Sequence, residues 1–389
     1  PQDKSIRING TERYVNVSGG WVNSGADQSK NLSHSTQSNY LVSQQGAIAA
    51  WAMAKSYDKL SELYRQKGLT SQLIEEVIWG ADYLHRILGT EGYFYSSVFN
   101  NKNSADERLI TGYDQVEDEY TTNFQAAFRE GAGIAIATLV KAHELSNKTG
   151  VQGEFSAKQY LADAERAFEH LQTKNLQYVD NGQENIIDDY TALIAATELY
   201  QSTKKTKYLK ASRHRAYNLN NRMTSQGWFI SDDGERPFYH AIEAGLPIIA
   251  LVDYLAIEHD KQIKIKTKRT IKLSLDYQLA LNSQVSNPFN LARQTYRASD
   301  KNLPAKLQEG FFMPHTSKNE SWWQGENSRM ASLTAAAIWG GKVTHANARG
   351  SFGVNRELAN FAQSQIDWIM GKNPYQVSML YGFGVNNPP

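Results

Sequence analysis

Four stretches of this 389-residue chain bring together side chains able to move protons, hold water or stack on a flat ring. The first is SGGWVNSGADQSKNLSH, Ser18 to His34, where Asp27 stands with Asn23 and His34 in a segment too polar and glycine-rich for a helix or a regular strand. Loops of this kind often carry function because a rigid scaffold holds them. A carboxylate there could act as a base, and taken alone it is more often a turn residue than a catalyst. The second stretch, FREGAGIAIA, puts Arg129 and Glu130 at the edge of a small-residue helix, as site residues or as a buried ion pair. The third, NIIDDYTALIAATELY, places Asp188 and Asp189 at a helix start, where the dipole favours carboxylates whatever else they do. The fourth, EGFFMPHTSKNESWWQGENSRMAS, strings His315, Trp322, Trp323, Gln324, Glu326, Asn327 and Arg329 along a loop and a helix start. Adjacent residues of an extended stretch face opposite ways, so one tryptophan can pack inward while the other lines a groove. Glu326 also fits a bland first-turn carboxylate.

Other chemistries fit worse. There is no GxGxxG, P-loop, HExxH or GxSxG pattern, and the nine histidines show no close ligand pair, so neither a metal nor a cofactor is expected. SDDGERP is too short for an EF-hand calcium loop. Cysteine is absent, which removes disulfides, thiolate metal sites and cysteine nucleophiles. Basic and acidic residues nearly balance, 41 against 40, which argues against nucleic acid and membrane surfaces as partners. No apolar run approaches the roughly 18 residues of a membrane span. The 8 Trp and 21 Tyr suit stacking on sugars, and an ordinary core nearly as well. The chain opens on PQDKSIRING and stops at GFGVNNPP, and both ends read as interruptions.

The elements that must position these residues are mostly helices. Apolar residues recur at helical spacing in ten runs, beginning near residues 44, 71, 123, 156, 187, 207, 240, 264, 326 and 355. The run from Asn123 to Leu145 is apolar nearly all round its middle and reads as a buried inner helix. Strand signals are few: GYFYSSVF, and a weaker GWFIS. Nothing marks a linker, so residues 1–389 read as one all-α domain. Consecutive helices joined by alternately short and long loops suggest stacked hairpins, as an open solenoid or a closed toroid.

The four stretches, in this order, resemble glycoside hydrolase family 9. The opening loop is similar to that family's Gly-Gly-Trp loop, in which two Asp residues flank a Gly and hold the attacking water. A bacterial branch of exo-β-glucosaminidases and cellodextrin β-glucosidases is the nearer likeness. Its loop runs Asp-Ala-Ser-Gly-Asp and continues Ser-Lys-x-Leu-Ser-His, where this chain has NSGADQSKNLSH. The branch's second Asp falls on Asp27, its first on Asn23, and its Lys and His on Lys30 and His34. SNYLVSQQ, FREGAGIAIA, IIDDYTALIAATELY, FFMPHT, WWQGENSRMASLTAAA and WIMGKNPY extend the likeness from about Val17 to Pro389.

The resemblance implies an (α/α)6 toroid of twelve helices, of which this chain would hold about ten. It implies inverting hydrolysis of β-1,4-linked gluco-configured oligosaccharides, foremost by an exo-acting β-glucosaminidase on chitosan- or chitin-derived chains. A cellodextrin β-glucosidase, an endoglucanase and a non-catalytic sugar-binding relative are the alternatives. Inversion needs a carboxylate base and a carboxylic acid about 6.5–9.5 Å apart. Asp27 takes the base role, and Asn23 orients water as an amide without sharing charge. His34, His315, Trp322, Trp323, Glu326 and Asn327 line the sugar sites, with Glu326 a suitable partner for a glucosamine ammonium. The family's general acid is a Glu near the C-terminus and is expected beyond Pro389; the branch's N-terminal β-sandwich is not represented in the chain. The expected partner is a small oligosaccharide, the expected compartment the bacterial cytoplasm with the periplasm or secretion as alternatives, and the sequence assigns no oligomeric state.

Overall fold

Helical periodicity and capping chemistry set most of the architecture. The computed structural model describes residues 3–22, 29–32, 44–101, 104–114, 117–232, 236–297, 306–312, 325–384 and 386–387. The chain gathers into two compact units, Pro1–Ser212 and Arg213–Pro389.

The first unit holds α1 (Gln45–Gln66), α2 (Thr70–Arg86), α3 (Ala132–Thr149), α4 (Ala157–Tyr178) and α5 (Ile186–Thr203), and the chain leaves it through α6 (Thr206–Asn221). α3 packs on α1, α2, α4 and α5. Its composition allows this: Ile134, Ile136, Leu139 and Val140 are all fully buried, each worth about 1.5–3 kcal/mol relative to exposure. Gly133 supplies the close approach, because a Cβ there would come within 2.6 Å of Thr191 on α5. Caps set the starts. Ser156 and Gln159 form a capping box on α4, and Asn185 and Asp188 form one on α5. The apolar run from Asn123 to Leu145 is not helical throughout: α3 begins only at Ala132, because Gly131 turns left-handed at φ +102°.

A five-stranded sheet completes this unit in the order β2-β1-β5-β4-β3, with β1 (Ile6–Ile8), β2 (Tyr14–Val15), β3 (Lys30–Asn31), β4 (Ser97–Asn101) and β5 (Ser104–Ile110). β1 runs parallel to β5, pairing Arg7 with Leu109, and β3 runs antiparallel to β4, pairing Lys30 with Val98. A separate hairpin joins β6 (Gly112–Asp114) to β7 (Glu119–Thr121).

The second unit holds α7 (Leu246–Leu255), α8 (Lys261–Ser283), α9 (Glu326–Thr344) and α10 (Arg356–Ile369), with a hairpin of β8 (Gln294–Arg297) and β9 (Leu307–Gly310). α9 packs on α7, α8 and α10. Its small residues make that crowding possible: a Cβ at Gly340 would stand 2.9 Å from Ile248 of α7 and 3.1 Å from Ile271 of α8. Ten α-helices are thus present among the described residues, and none is long and apolar enough to cross a membrane.

Candidate active site

The opening loop is built by its two ends. Four successive carbonyls on its outgoing side each accept a hydrogen bond from a side chain. Lys30 donates to Val17 (2.5 Å) and Gly19 (3.2 Å), Arg86 to Ser18 (3.2 Å) and the Trp79 indole to Gly20 (3.3 Å). Gly19 and Gly20 take φ of +90° and +67°, and a Cβ on Gly20 would meet the Tyr83 ring at 2.8 Å. Both glycines are therefore required where the backbone lies flat on that ring. Trp21 hydrogen-bonds Glu76 (2.8 Å) and covers Gly80, where a Cβ would come within 2.7 Å of the indole.

Lys30 fastens the returning side to the outgoing one. Its side chain is fully buried and its ammonium lies 2.6 Å from Asp3, which Arg108 also holds at 2.7 Å. Burial works against ionisation of Asp3, but the hydrogen bonds from Lys30 and Arg108 outweigh it and keep the carboxyl below its usual range. After β3 the chain passes Leu32, whose amide donates to the Ser96 carbonyl (2.8 Å) and whose side chain lies against Gly131.

Gly131 follows Arg129 and Glu130, so the loop returns beside these two residues. Gln44, ahead of α1, donates its side-chain amide to the Arg129 carbonyl (2.5 Å). Arg129 does not pair with Glu130. It donates through Nε (2.8 Å) and its own backbone N–H (3.2 Å) to Asp188, which also accepts from Asn175 (3.0 Å) and the Asn185 amide (3.0 Å). Asp188 is thus more than a dipole partner in a first turn: it is the fully buried counter-ion of a fully buried arginine. Glu130 folds back to accept a hydrogen bond from the Ala127 amide (3.1 Å). Burial raises its carboxyl well above the usual range, since Arg129 and that amide offset only part of the cost.

Beside Glu130 lies a polar cavity of about 280 Å³, near the lower end of the roughly 300–1,000 Å³ of ligand pockets. Asn123, Gln125, Gln177, Tyr178 and Asp180 are among its other walls. Burial also raises Asp180, with Arg129 3.9 Å away pulling the other way. The Tyr178 hydroxyl is tied to His170 (2.6 Å). Such a lining can bind hydroxyls and cations. The second unit contains a smaller cavity of about 80 Å³, walled by Trp228, Tyr239, Tyr277 and Arg293 among others. That is room for a few waters, at about 30 Å³ each in the liquid. No group of three or more potential metal ligands occurs among the described residues.

The profile described as glycosyl hydrolase family 9 matches residues 1–389, the whole chain. The chain belongs to glycosyl hydrolase family 9. Solved structures agree on the fold. The cellulase Cel9M of C. cellulolyticum is 17% identical with a TM-score of 0.60, covering 96% of this chain and 72% of its own. An endoglucanase of the termite Nasutitermes takasagoensis is 16% identical with a TM-score of 0.62, covering 99% and 73%. A metagenome-derived family 9 endoglucanase is 16% identical with a TM-score of 0.62, covering 99% of this chain, which spans 62% of that one. No protein of curated function matches. The likeness gives this family 9 chain the all-α, (α/α)6 fold expected of it.

Of the residues expected to form the site, Asn23, Asp27, His34, His315, Trp322 and Trp323 lie outside the described residues. Glu326 and Asn327 open α9 in the second unit. Both Glu326 oxygens accept from Arg329 Nε, at 3.0 and 3.1 Å, and Arg329 also donates to the Ala292 carbonyl (2.8 Å). Asn327 is exposed. Gly325 before them is required by its φ of +99° and by Ala241, whose carbonyl oxygen would lie 2.8 Å from a Cβ. Asp180 escaped the sequence reading because DNGQ is a turn signal. Glu130 was visible in it, paired with the wrong neighbour.

Proposed function

We propose that this chain is the catalytic domain of an inverting β-glycosidase that cleaves β-1,4-linked gluco-configured oligosaccharides. Asp27 is the general base in this reading and Asn23 orients the water it activates. The observation that carries it is the framing of the loop. Carbonyls 17–20 and Lys30 fix the two ends of the segment that holds Asp27, and the returning end lies beside the polar cavity at Glu130. A base needs such a mount, because small displacements of reacting groups are costly. The general acid, in this reading, is a Glu beyond Pro389.

The NSGADQSKNLSH spacing supports exo-action on glucosamine oligosaccharides. Endo-action on glucan chains is the second reading, supported by the likeness to a cellulase and to endoglucanases. The Arg329 pairing of Glu326 also suits a neutral sugar at that residue better than an ammonium. The test is hydrolysis of β-1,4 glucosamine and glucose oligosaccharides by the full protein, with the product anomer followed by proton NMR. Inversion is expected, and retention would remove the reading. Asp27→Ala should lower kcat by at least ~10²–10⁴-fold, the usual worth of acid–base catalysis, with Tm unchanged. An equal loss of stability would return Asp27 to the role of a turn residue.

A further inference from the structure

The first three turns of α8 carry charge of one sign. Lys261, Lys266, Lys268, Arg269 and Lys272 are exposed there, and no acidic residue lies between them. The near balance of basic and acidic residues over the whole chain hides this local excess. The opposite side of the helix, with Thr267, Thr270, Ile271 and Leu275, is buried. Lys261, Lys268 and Lys272 fall on one line along the helix, about 16 Å long at 1.5 Å per residue, with Arg269 beside it. Ile265 lies within this face and is 61% exposed. Lys272 pairs with Asp276 (2.6 Å), and Lys266 donates to Asn221 (2.8 Å). Lys261, Lys268 and Arg269 make no ion pair or side-chain hydrogen bond among the described residues. The arrangement works against the helix. Like charges three and four residues apart repel. Lys261 also stands at the helix start, where the dipole disfavours a cation, and the Asp260 cap offsets only part of that.

We propose that this face of α8 docks the protein on an anionic lipid surface. Lipid phosphates and carboxylates supply the counter-charge that the fold does not, and they relieve the repulsion along the stripe. Each basic side chain held near such a surface multiplies binding about fivefold. A bilayer suits the shape of the face as well as its charge. The convex side of one helix can lie along a plane, but it encloses no strand. Its exposed large apolar side chain is aliphatic, and such a chain enters the boundary between headgroups and acyl chains. A nucleic acid strand would instead need aromatic rings on which its bases stack. Tyr217, an exposed ring beside this part of α8, already has the Lys266 ammonium 4.9 Å from its centroid. α8 stays packed on α7 and α9 throughout, so the contact is peripheral and crosses nothing.

Co-sedimentation of the full protein with lipid vesicles tests this. Vesicles of phosphatidylglycerol mixed with phosphatidylcholine should carry the protein down at about 0.1 M salt and release it near 1 M, where the screening length falls to about 3 Å. Pure phosphatidylcholine should not carry it at either salt. Replacing three unpaired charges together, Lys261→Gln, Lys268→Gln and Arg269→Gln, should weaken binding roughly 100-fold, the fivefold factor taken three times. The Tm of this variant should be no lower than wild type, because repulsion has been removed, and its hydrolysis of free oligosaccharides should be unchanged. Three exposed lysines on other elements serve as the control, Lys4→Gln, Lys158→Gln and Lys174→Gln, and should leave most of the affinity. Ile265→Ser keeps every charge and should weaken binding severalfold. Equal losses in the two triple variants, or equal binding to both kinds of vesicle, would overturn the proposal. Full affinity in Ile265→Ser, together with tighter binding of a single-stranded DNA oligomer than of the vesicles, would overturn it in favour of nucleic acid.

Discussion

Lys30→Met tests whether the opening loop is a built mount. The substitution keeps the buried aliphatic stem and removes an ammonium that contacts Asp3 at 2.6 Å and the carbonyls of Val17 and Gly19 at 2.5 and 3.2 Å. Removing one partner of a buried ion pair costs about 3–5 kcal/mol. Arg108 still holds Asp3, through Nε at 2.7 Å, which argues for the lower end of that range. Two orphaned carbonyls push the other way, at about 1–3 kcal/mol each when left dry. The expected loss is therefore about 3–5 kcal/mol, read as a lower urea midpoint at unchanged m-value. Asp3→Asn in the same protein closes a double-mutant cycle and should show coupling above about 1 kcal/mol. The pH dependence has a fixed sign. The Asp3 carboxyl is lowered in the fold, so its contribution is present above the ordinary carboxylate range and is lost as pH falls through the folded value. Glycoside hydrolysis by the full protein should fall in kcat more than in KM, because the loop carries the proposed base. A loss under about 1 kcal/mol, or coupling near zero, would mean that Lys30 merely fills space.

Two further substitutions probe the supports. Glu258, a buried side chain, accepts from Arg213 (2.7 and 2.8 Å), the Tyr254 hydroxyl and the amides of His259 (2.7 Å) and Asp260 (2.8 Å). Burial works against its charge, but these donors prevail and hold the carboxyl down to about 2 from an ordinary 4.5. Glu258→Gln should then cost about 3 kcal/mol at pH 7, with the gap to wild type closing as pH drops from 4.5 toward 2; a gap independent of pH would refute the assignment. Gly131→Ala should cost about 1–3 kcal/mol, because φ is +102° and the added Cβ would meet Leu32 at 2.5 Å. It should also depress kcat by moving the loop's return, and stability within about 0.5 kcal/mol of wild type would show that Leu32 yields freely.

The ten helices were legible because most keep apolar residues at a 3.6-residue period, and four begin at a capping side chain, Ser156, Asn185, Asp260 or Asn355. The late start of α3 was not, because glycine in a small-residue run reads as helix until its dihedral is known. The five-stranded sheet escaped for a different reason. Its edge strands are two residues long, and Arg7 finds Leu109 across about a hundred positions, which no local pattern announces. GYFYSSVF did mark the start of β4, whereas GWFIS yields only isolated bridges at Phe229 and Ile230. In the candidate site, the glycine pair and Lys30 were readable from the loop motif. The Arg129–Asp188 pair was not, since two carboxylates at a helix start look ordinary until an arginine from another element lands on one. That exchange of partners is what leaves Glu130 facing the cavity.

The clamp around residues 17–32 also orders the folding of this chain in time. The segment is made before most of the residues that hold it, and within it only Lys30 reaches back, to Val17 and Gly19. Its contacts come from Trp79, Tyr83, Arg86, Arg108 and Gly131. At about 5–20 residues per second, the last of these follows Leu32 by roughly 5–20 seconds of synthesis. The part of the chain that carries the proposed base is therefore finished well after it is made. Until Gly131 arrives it is an unfolded tether between a short strand and a nascent helix pair, paying loop-closure entropy that only distant contacts return.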